Sequence, residues 1–389
     1  MSEQNQQPKP KLLMCYHSAE FGGVEKQILD IIRGLSKEID FTVACPNGPL
    51  VKEYLQAGAK DHVNLSPKFE ADFFYTYKVM KLVREGGYDI VHSHELKAGG
   101  LAMFGAWLGR AKKRVYHIHT PFLEWQNPRW KDKIAKLVNT IVNFVVGNIF
   151  ATDVLALAES IKRTRIQKEH IMTKKIRVIP NGVDKDYFEY TKNGRQQMRK
   201  SWGVGEGITV FGNIGRFTEE KAHDVMIKAY SLFLLRNPGE RKHSILVLAG
   251  AGKLLDESKE LAKTLKVQDN TIFTGALHEN ERNSTYSAFD IFITSTLAEG
   301  FGLVLLEAMC FKLPVIGSNL PILKDVFGDS IYYFHTANSK ELASCMEDLY
   351  KNPEKQEIYS ERGMLEVDKY SMKKFWENYK SLYLDNSTK

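Results

Sequence analysis

Short apolar runs recur along the chain, each followed by a longer amphipathic segment, and this alternation is the signature of parallel strands joined by crossover helices. Strands are predicted at Lys11–Tyr16, Asp40–Cys45, Asp89–His94, Arg114–His119 and Val154–Ala158, and again at Ile208–Ile214, Ser244–Ala249, Asn270–Thr274, Asp290–Thr294, Pro314–Gly317 and Ser330–Phe334. The pattern runs twice, with no sequence repeat beside it. A polar, charged linker from Asn181 to about Gly207, opened by IPNGVD, separates the halves. The expected fold class is α/β: two facing, Rossmann-like, doubly wound parallel-sheet domains with a cleft between them. Residues 1–10 read as a disordered start, 11–185 as the first domain and 186–370 as the second, with 371–389 a helix returning onto the first. In open sheets of this kind ligands bind beyond the carboxyl ends of the strands, and the candidate chemistry is found there.

The most informative strand end is EGFGLVLLEAMCFKLPVIGS, where Glu299 and Glu307 flank a glycine-bearing turn. Ala298–Gly302 reads as a strand-to-helix loop and Leu303–Phe311 as the helix it opens. Unpaired amides and the positive end of the helix dipole suit such a start to phosphate or to sugar hydroxyls, and Gly300 and Gly302 let backbone approach a ligand. At ~1.5 Å rise per residue the two carboxylates lie roughly 8 to 12 Å apart. Either glutamate alone would pass for surface charge beside a helix terminus. The pair together, with its glycines and flanking strands, reads as a site that accepts paired hydroxyls.

Other strand ends are weaker signals. Gly22-Gly23 leads straight from the opening strand into a helix, and GNIGRFTEEKAHD sets Gly215, Arg216 and Lys221 after the first strand of the second half. Such cations can clamp phosphate oxygens, though an isolated one is ordinarily a solvated surface charge. In LAGAG, Gly250 and Gly252 either let a nucleobase or phosphate approach or simply cap a strand. His92 and His94 end one strand, His117 and His119 another, and alternation puts each pair on one face. A metal site, packed core imidazoles and a donor to sugar hydroxyls are the three readings. The lack of a neighbouring carboxylate cluster weighs against the metal. His119, nearest the loop, is the preferred functional one.

Composition narrows the setting. Cys15, Cys45, Cys310 and Cys345 are scattered without C-x-x-C spacing, as expected of free thiols in a reducing compartment. The opening MSEQNQQPKP lacks the apolar core of a signal peptide. Leu137–Ala158, the longest apolar-leaning stretch, carries Asn139, Thr140, Asn143, Asn148, Thr152 and Asp153, which is too polar for an expected spanning helix. Of the net charge of +7, more than all falls between Arg110 and Lys175. No nucleic-acid-binding motif accompanies it, so nucleic acid is not an expected partner. In WQNPRWKDKIAKLVNTIVNFVVG, Trp125, Trp130 and several lysines precede Ile134, Leu137, Val138, Ile141, Val142 and Val145 at near-helical spacing. That suits an interfacial helix on an anionic membrane as well as a core helix with a charged outer face. The expected location is cytoplasmic, with peripheral attachment to the inner face of the cell membrane.

The order GGVE, HIHTPF, IPNGVD, GRFTEEK, LAGAG, EGFGLVLLEA and LPVIGSN, spread over nearly the whole chain, resembles the retaining glycosyltransferases of family 4, which have the GT-B fold. The resemblance implies transfer of a hexosyl or N-acetylhexosaminyl group from a nucleotide diphosphate sugar, expected to be a UDP-sugar, held mainly by the second domain. The acceptor, a glycan or lipid-linked molecule, is held mainly by the first, and no metal or other cofactor is required. Arg216 and Lys221 would neutralise the leaving diphosphate, Glu307 would hold the ribose hydroxyls and Glu299 the donor-sugar hydroxyls. The amides of Phe301, Gly302 and Leu303 would meet diphosphate and sugar, with backbone at Gly22, Gly23, Gly215 and Gly250 close to substrate and His119 touching the sugar. After Lys221 the family commonly has glycine where this chain has Ala222, and a slight effect is expected from so small a residue. A role in bacterial cell-surface polysaccharide synthesis follows from the family's general look and the basic stretch. Rival readings on the same fold are a nucleotide-sugar epimerase and a noncatalytic partner subunit or sugar-nucleotide sensor.

Overall fold

The computed structural model describes residues 8–20, 22–69, 71–119 and 130–385. Trp125, and with it most of the aromatic lead-in to the expected interfacial helix, lies outside them, as do the side chains of Trp130 and Lys131. The chain divides into two compact units, one running to Asn181 and taking in the chain from Lys373, the other spanning Gly182–Met372.

The first unit is a seven-stranded sheet formed by β1 (Lys11–Cys15), β2 (Asp40–Cys45), β3 (Asp61–Asn64), β4 (Ile90–His94), β5 (Lys113–His117), β6 (Asp153–Ala156) and β7 (Ile176–Val178), in the order β3-β2-β1-β4-β5-β6-β7. The second is a six-stranded sheet formed by β8 (Thr209–Ile214), β9 (Ser244–Ala249), β10 (Thr271–Gly275), β11 (Ile291–Thr294), β12 (Val315–Ser318) and β13 (Tyr332–Phe334), in the order β10-β9-β8-β11-β12-β13. Adjacent strands run parallel in both. Central strands such as LLMC and IFIT are buried throughout, so helices must cover both faces of each sheet. Strand order reverses between β1 and β4 and between β8 and β11, which makes these the switch points where crossovers diverge and leave a crevice. The GT-B fold expected from the sequence is the one observed.

The sequence reading misses β3 and β7. Both sit at sheet edges, and the exposed, polar DHVN of β3 has none of the apolar character of a central strand. The expected linker is also partly wrong. Within it Lys192–Trp202 is a helix of the second unit, and its charges are structural. Arg199, 1% exposed, donates to Ala288 O, Gly205 O and Ile208 O and pairs with Asp290 at 2.5 Å, while Asp290 accepts the Val210 N–H at 2.7 Å. This network pins the feet of β8 and β11 and fixes the start of both strands that lead to the switch point. The C-terminal helix, Met372–Leu384, packs on the first unit, where Trp376 Nε1 donates to Asp30 O at 2.7 Å and Lys380 pairs with Glu38 at 2.7 Å.

The basic stretch forms a helix, Trp130–Val145, with a one-turn π continuation, Val146–Phe150. By length and composition alone the run Lys133–Phe150 is apolar enough to cross a membrane, and it overlaps the stretch Leu137–Ala158 that the sequence marks as too polar to span. Its place in the fold is a crossover between the hydrogen-bonded neighbours β5 and β6. Its second half is held in the domain by the buried Asn143, which accepts from Tyr116 Oη at 2.8 Å and donates to Glu169 at 2.8 Å.

Candidate functional site

Two loops meet at the switch point of the second sheet. One leaves β8 and runs to the helix His223–Arg236, and the other leaves β11 and runs to the helix Leu303–Cys310. Small hydroxyl side chains staple them. Ser295 Oγ lies 2.7 Å from Ala222 O, Thr296 Oγ1 donates to Glu220 O at 2.9 Å, and the Leu297 N–H donates to the same carbonyl at 2.7 Å. The consequence is chemical: Lys221 and Glu299, far apart in sequence, form an ion pair of 2.6 Å with side chains 22% and 14% exposed. Glu299 also accepts the Gly300 N–H through its other oxygen at 3.2 Å. Neither is a free surface charge.

The helix that follows opens on Gly302 in the left-handed region, φ +97°, where an L side chain is strained. The first intrahelical donors are Leu305 and Leu306, both to Gly302 O, so the amides of Phe301, Gly302 and Leu303 have no acceptor within the helix. The Phe301 ring is buried edge-on against Tyr370, ring centroids 5.4 Å apart, which fixes the loop. An ammonium group and a helix start carrying open amides thus stand on stapled loops, an arrangement that stabilises negative charge.

Arg216 behaves differently. Its side chain is 78% exposed and its ion-pair partner is Glu220 at 3.7 Å, so it is a surface cation, unlike the half-buried Lys221. Gly215 and Gly250 are committed to each other: a Cβ on Gly250 would lie 1.9 Å from Gly215 O, and one on Gly252 would lie 2.5 Å from Phe217 O. Close packing of two loops explains the glycines of LAGAG. Ala222 adopts φ +46°, ψ +50°, so backbone conformation, more than side-chain size, is what its position strains. His223, stacked on Phe217 at 3.9 Å, has its pKa lowered to about 4 by burial and by the neighbouring Lys221 charge. It is neutral at pH 7.

Glu307 is 2% exposed on an apolar helix, and three donors converge on its Oε2. Arg282 approaches through Nε at 3.2 Å and through a second guanidinium nitrogen, and Tyr286 Oη donates at 2.7 Å. Burial disfavours the Arg282 charge, but the Glu307 carboxylate outweighs it and raises the guanidinium pKa, while burial and the same carboxylate push the Tyr286 phenol well up. The sequence reading did not find Arg282, Tyr286, Ser295 or Thr296. One signal was available: a glutamate inside LVLLEAMC must be buried, and a buried carboxylate requires a cation and donors.

In the first unit, Gly22 caps the helix Gly23–Leu35 with extended backbone, and a Cβ on Gly23 would meet nothing within 4 Å. Glu25 folds back beneath it and accepts from Ser18 Oγ at 2.7 Å. Both histidine pairs converge on one face. His94 Nδ1 lies 2.8 Å from His119 Nε2, His92 Nδ1 lies 2.6 Å from Tyr383 Oη, and His117 and His119 pack with centroids 3.8 Å apart. Ring nitrogens of His92, His94 and His117 fall within 4.8 Å of one another, so the convergence a metal would need is present. Among the described residues no carboxylate joins that group. Burial drives all four imidazoles to lower pKa, His119 to about 3. The imidazoles are uncharged at pH 7, and they are joined by the His94–His119 hydrogen bond and otherwise packed ring against ring.

Comparison with known proteins agrees with this geometry. Residues 194–365 match the family model described as glycosyl transferases group 1, and residues 21–187 match that of glycosyltransferase family 4. The chain is 26% identical, over 79% of its length and 69% of the relative's, to an alpha-monoglucosyldiacylglycerol synthase from Streptococcus pneumoniae. It is 27% identical, over 77% of its length and 76% of the relative's, to the putative glycosyltransferase EpsF of Bacillus subtilis. The crystal structure of Anabaena Alr3699/HepE in complex with UDP and glucose superimposes with a TM-score of 0.81 at 18% identity, covering 95% of this chain and 98% of that one.

Proposed function

The chain belongs to the family 4 glycosyltransferases, and from that premise we propose that it transfers a hexosyl or N-acetylhexosaminyl group from a UDP-sugar to a glycan or lipid-linked acceptor, with retention at the anomeric carbon and without a metal. One observation carries this reading: the Lys221–Glu299 pair stands on the loop whose last amides, Phe301–Leu303, open the helix that buries the Glu307 carboxylate. The choice of uridine is supported by the UDP in the HepE structure.

In the proposed reaction the bond between the anomeric carbon and the diphosphate oxygen breaks, and its electron pair leaves with the diphosphate. Lys221 and the helix-start amides stabilise that charge where it develops, with little reorganisation. The acceptor hydroxyl oxygen bonds to the anomeric carbon from the same face, and its proton passes to a departing phosphate oxygen. Glu299, already salt-bridged, accepts hydrogen bonds from donor-sugar hydroxyls, and Glu307 accepts from the ribose. Arg216, exposed and near Glu220, supplies a further cation for the diphosphate. In the first unit His119 and the Gly23 amide are candidates for contact with substrate oxygens. The test is nucleotide release from a panel of nucleotide sugars, with and without a bacterial lipid extract. We expect release from a UDP-sugar that rises with extract and persists in EDTA. No release with any donor overturns the reading, and loss in EDTA overturns its metal-free part.

We further assign the acceptor side to an anionic membrane surface on the cytoplasmic side, in synthesis of a bacterial surface polysaccharide or glycolipid. Support comes from Lys133, Ile134, Lys136, Leu137 and Val138, all exposed on consecutive turns of one helix. A feature the sequence reading passed over adds to it: Phe73, Phe74 and Tyr77 on the helix Phe73–Gly86 stand 67%, 64% and 53% exposed beside Lys78. Apolar and aromatic side chains ringed by lysines bind anionic interfaces. Flotation should show binding to phosphatidylglycerol vesicles, weak binding to phosphatidylcholine, and loss in Leu137→Ser/Phe74→Ser. Equal behaviour toward both lipids overturns the assignment.

A further inference from the structure

The second unit pairs two carboxylates with arginines, one half-buried at the foot of its sheet and one buried on the helix that leaves the switch point. Asp290 lies at the foot of β8 and β11, where Arg195 and Arg199 tie it to backbone, and that network is architectural. Glu307 lies on the helix that leaves the switch point, at the end where the functional loops gather. Its partners Arg282 and Tyr286 sit four residues apart on the short helix Arg282–Ala288, so they project from one face. That face is itself held in place. Tyr286 is fully buried and stacked on Phe311 at 5.2 Å, and the Arg282 guanidinium lies 5.9 Å from the centre of the Phe188 ring.

All the hydrogen bonds that Arg282 and Tyr286 make to Glu307 end on Oε2. A carboxylate gripped through one oxygen by a guanidinium fork and a phenol cannot turn about its own axis without breaking them, so the direction of Oε1 is set. Neutralising the charge also removes much of the penalty for holding a carboxylate at 2% exposure. Preorganisation of this kind matters for a diol: an acceptor already aimed at its hydroxyls loses no rotational freedom on binding.

We infer that Arg282 and Tyr286 are positioning residues that aim Glu307 at the ribose hydroxyls of the donor, and so set the enzyme's preference for ribonucleotides. This rests on the proposed role of Glu307. Neither residue touches the sugar being transferred, so their loss acts on donor binding and leaves the chemical step largely intact.

The test compares binding of UDP and 2′,3′-dideoxy-UDP by calorimetry, with kinetics alongside. Wild type should bind UDP about ten- to a hundredfold more tightly than the dideoxy nucleotide, the range expected for hydrogen bonds to a charged group. Arg282→Met should lose about tenfold in UDP affinity and leave dideoxy-UDP nearly unchanged, with KM for the donor raised and kcat within about threefold. Arg282→Lys should recover part of the preference. Tyr286→Phe keeps the stacked ring and removes one donor, so it should shrink the preference by about threefold and serves if Arg282→Met fails to fold. Equal weakening of both nucleotides, in Arg282→Met or in Tyr286→Phe, overturns the inference and makes the pair merely structural. Glu307→Gln separates the two levels: if it leaves the preference for UDP intact, the ribose role of Glu307 fails and this inference falls with it.

Discussion

Both sheets bury polar side chains beside their switch points, and they use opposite chemistry to do it. Next to β8 and β11 the polar groups are ions held in pairs, Lys221 with Glu299 and Arg282 with Glu307. Next to β1 and β4 they are four packed imidazoles whose pKa burial lowers: His94 is bonded to His119 and Met14, His92 to Tyr383, and His117 packs among them with no side-chain hydrogen bond to any described residue. A paired ion retains its charge at neutral pH and can lend it to a substrate. A buried imidazole with its pKa far below 7 offers a lone pair and one N–H. The second region is therefore suited to stabilise a leaving anion, and the first to orient neutral hydroxyls.

The largest effect that would break this comparison concerns Lys221. Lys221→Met should lower turnover by about 10²–10³-fold, the cost of removing one preorganised group at a developing anion, measured as initial rate of nucleotide release at saturating donor. A loss under tenfold would remove the distinction between the two regions. His119→Gln, which keeps hydrogen-bonding capacity, should cost about tenfold or less in kcat/KM. The wild-type rate should also show no inflection near pH 6.5 assignable to His119, because its pKa is lowered to about 3.

Stability sharpens the contrast next. His92, His94, His117 and His119 have folded pKa values below the ordinary 6.5 of a histidine, so below that pH the unfolded chain takes up protons that the folded chain refuses. Their contribution is complete above about pH 6.5 and is lost progressively as pH falls toward about 3. Tm measured at pH 7.5, 6.0 and 5.0 should fall along the series, and His117→Phe should flatten the slope. A Tm independent of pH over that range contradicts a neutral buried stack. The smallest effect is local: Ala222→Gly relieves a left-handed alanine and should raise stability by about 0.5–1 kcal/mol in urea denaturation. Turnover should stay unchanged, since the loop that carries Lys221 keeps its staples to Ser295 and Thr296.

The fold was legible where burial is two-sided. Strands such as Ile291–Thr294 and Ser244–Ala249 lie inside the sheet and must be apolar, whereas the edge strand Asp61–Asn64 owes its place to pairing with β2 and carries little pattern of its own. Among the candidate residues the glutamate pair carried most of the signal, because two carboxylates framing a glycine turn and an apolar helix are harder to explain as surface charge than either one alone. The supporting half of the site was not legible. Arg282 and Tyr286 lie in ERNSTYSAF, where nothing local marks one face of a short helix as the partner of a carboxylate twenty-odd residues on. Ser295 and Thr296 look like ordinary strand-end residues until the loops they staple are brought together. Glycines were over-read in the same way: at Gly250 the neighbour that demands a missing side chain is the Gly215 carbonyl.

The central claim is that the leaving diphosphate is held by Lys221 and the start of the Leu303–Cys310 helix. A crystal structure of the protein with UDP tests it most directly. The account predicts diphosphate oxygens within hydrogen-bonding distance of Lys221 Nζ and of the amides of Gly302 and Leu303. A diphosphate bound elsewhere, with the Lys221–Glu299 pair undisturbed and those amides untouched, would contradict it.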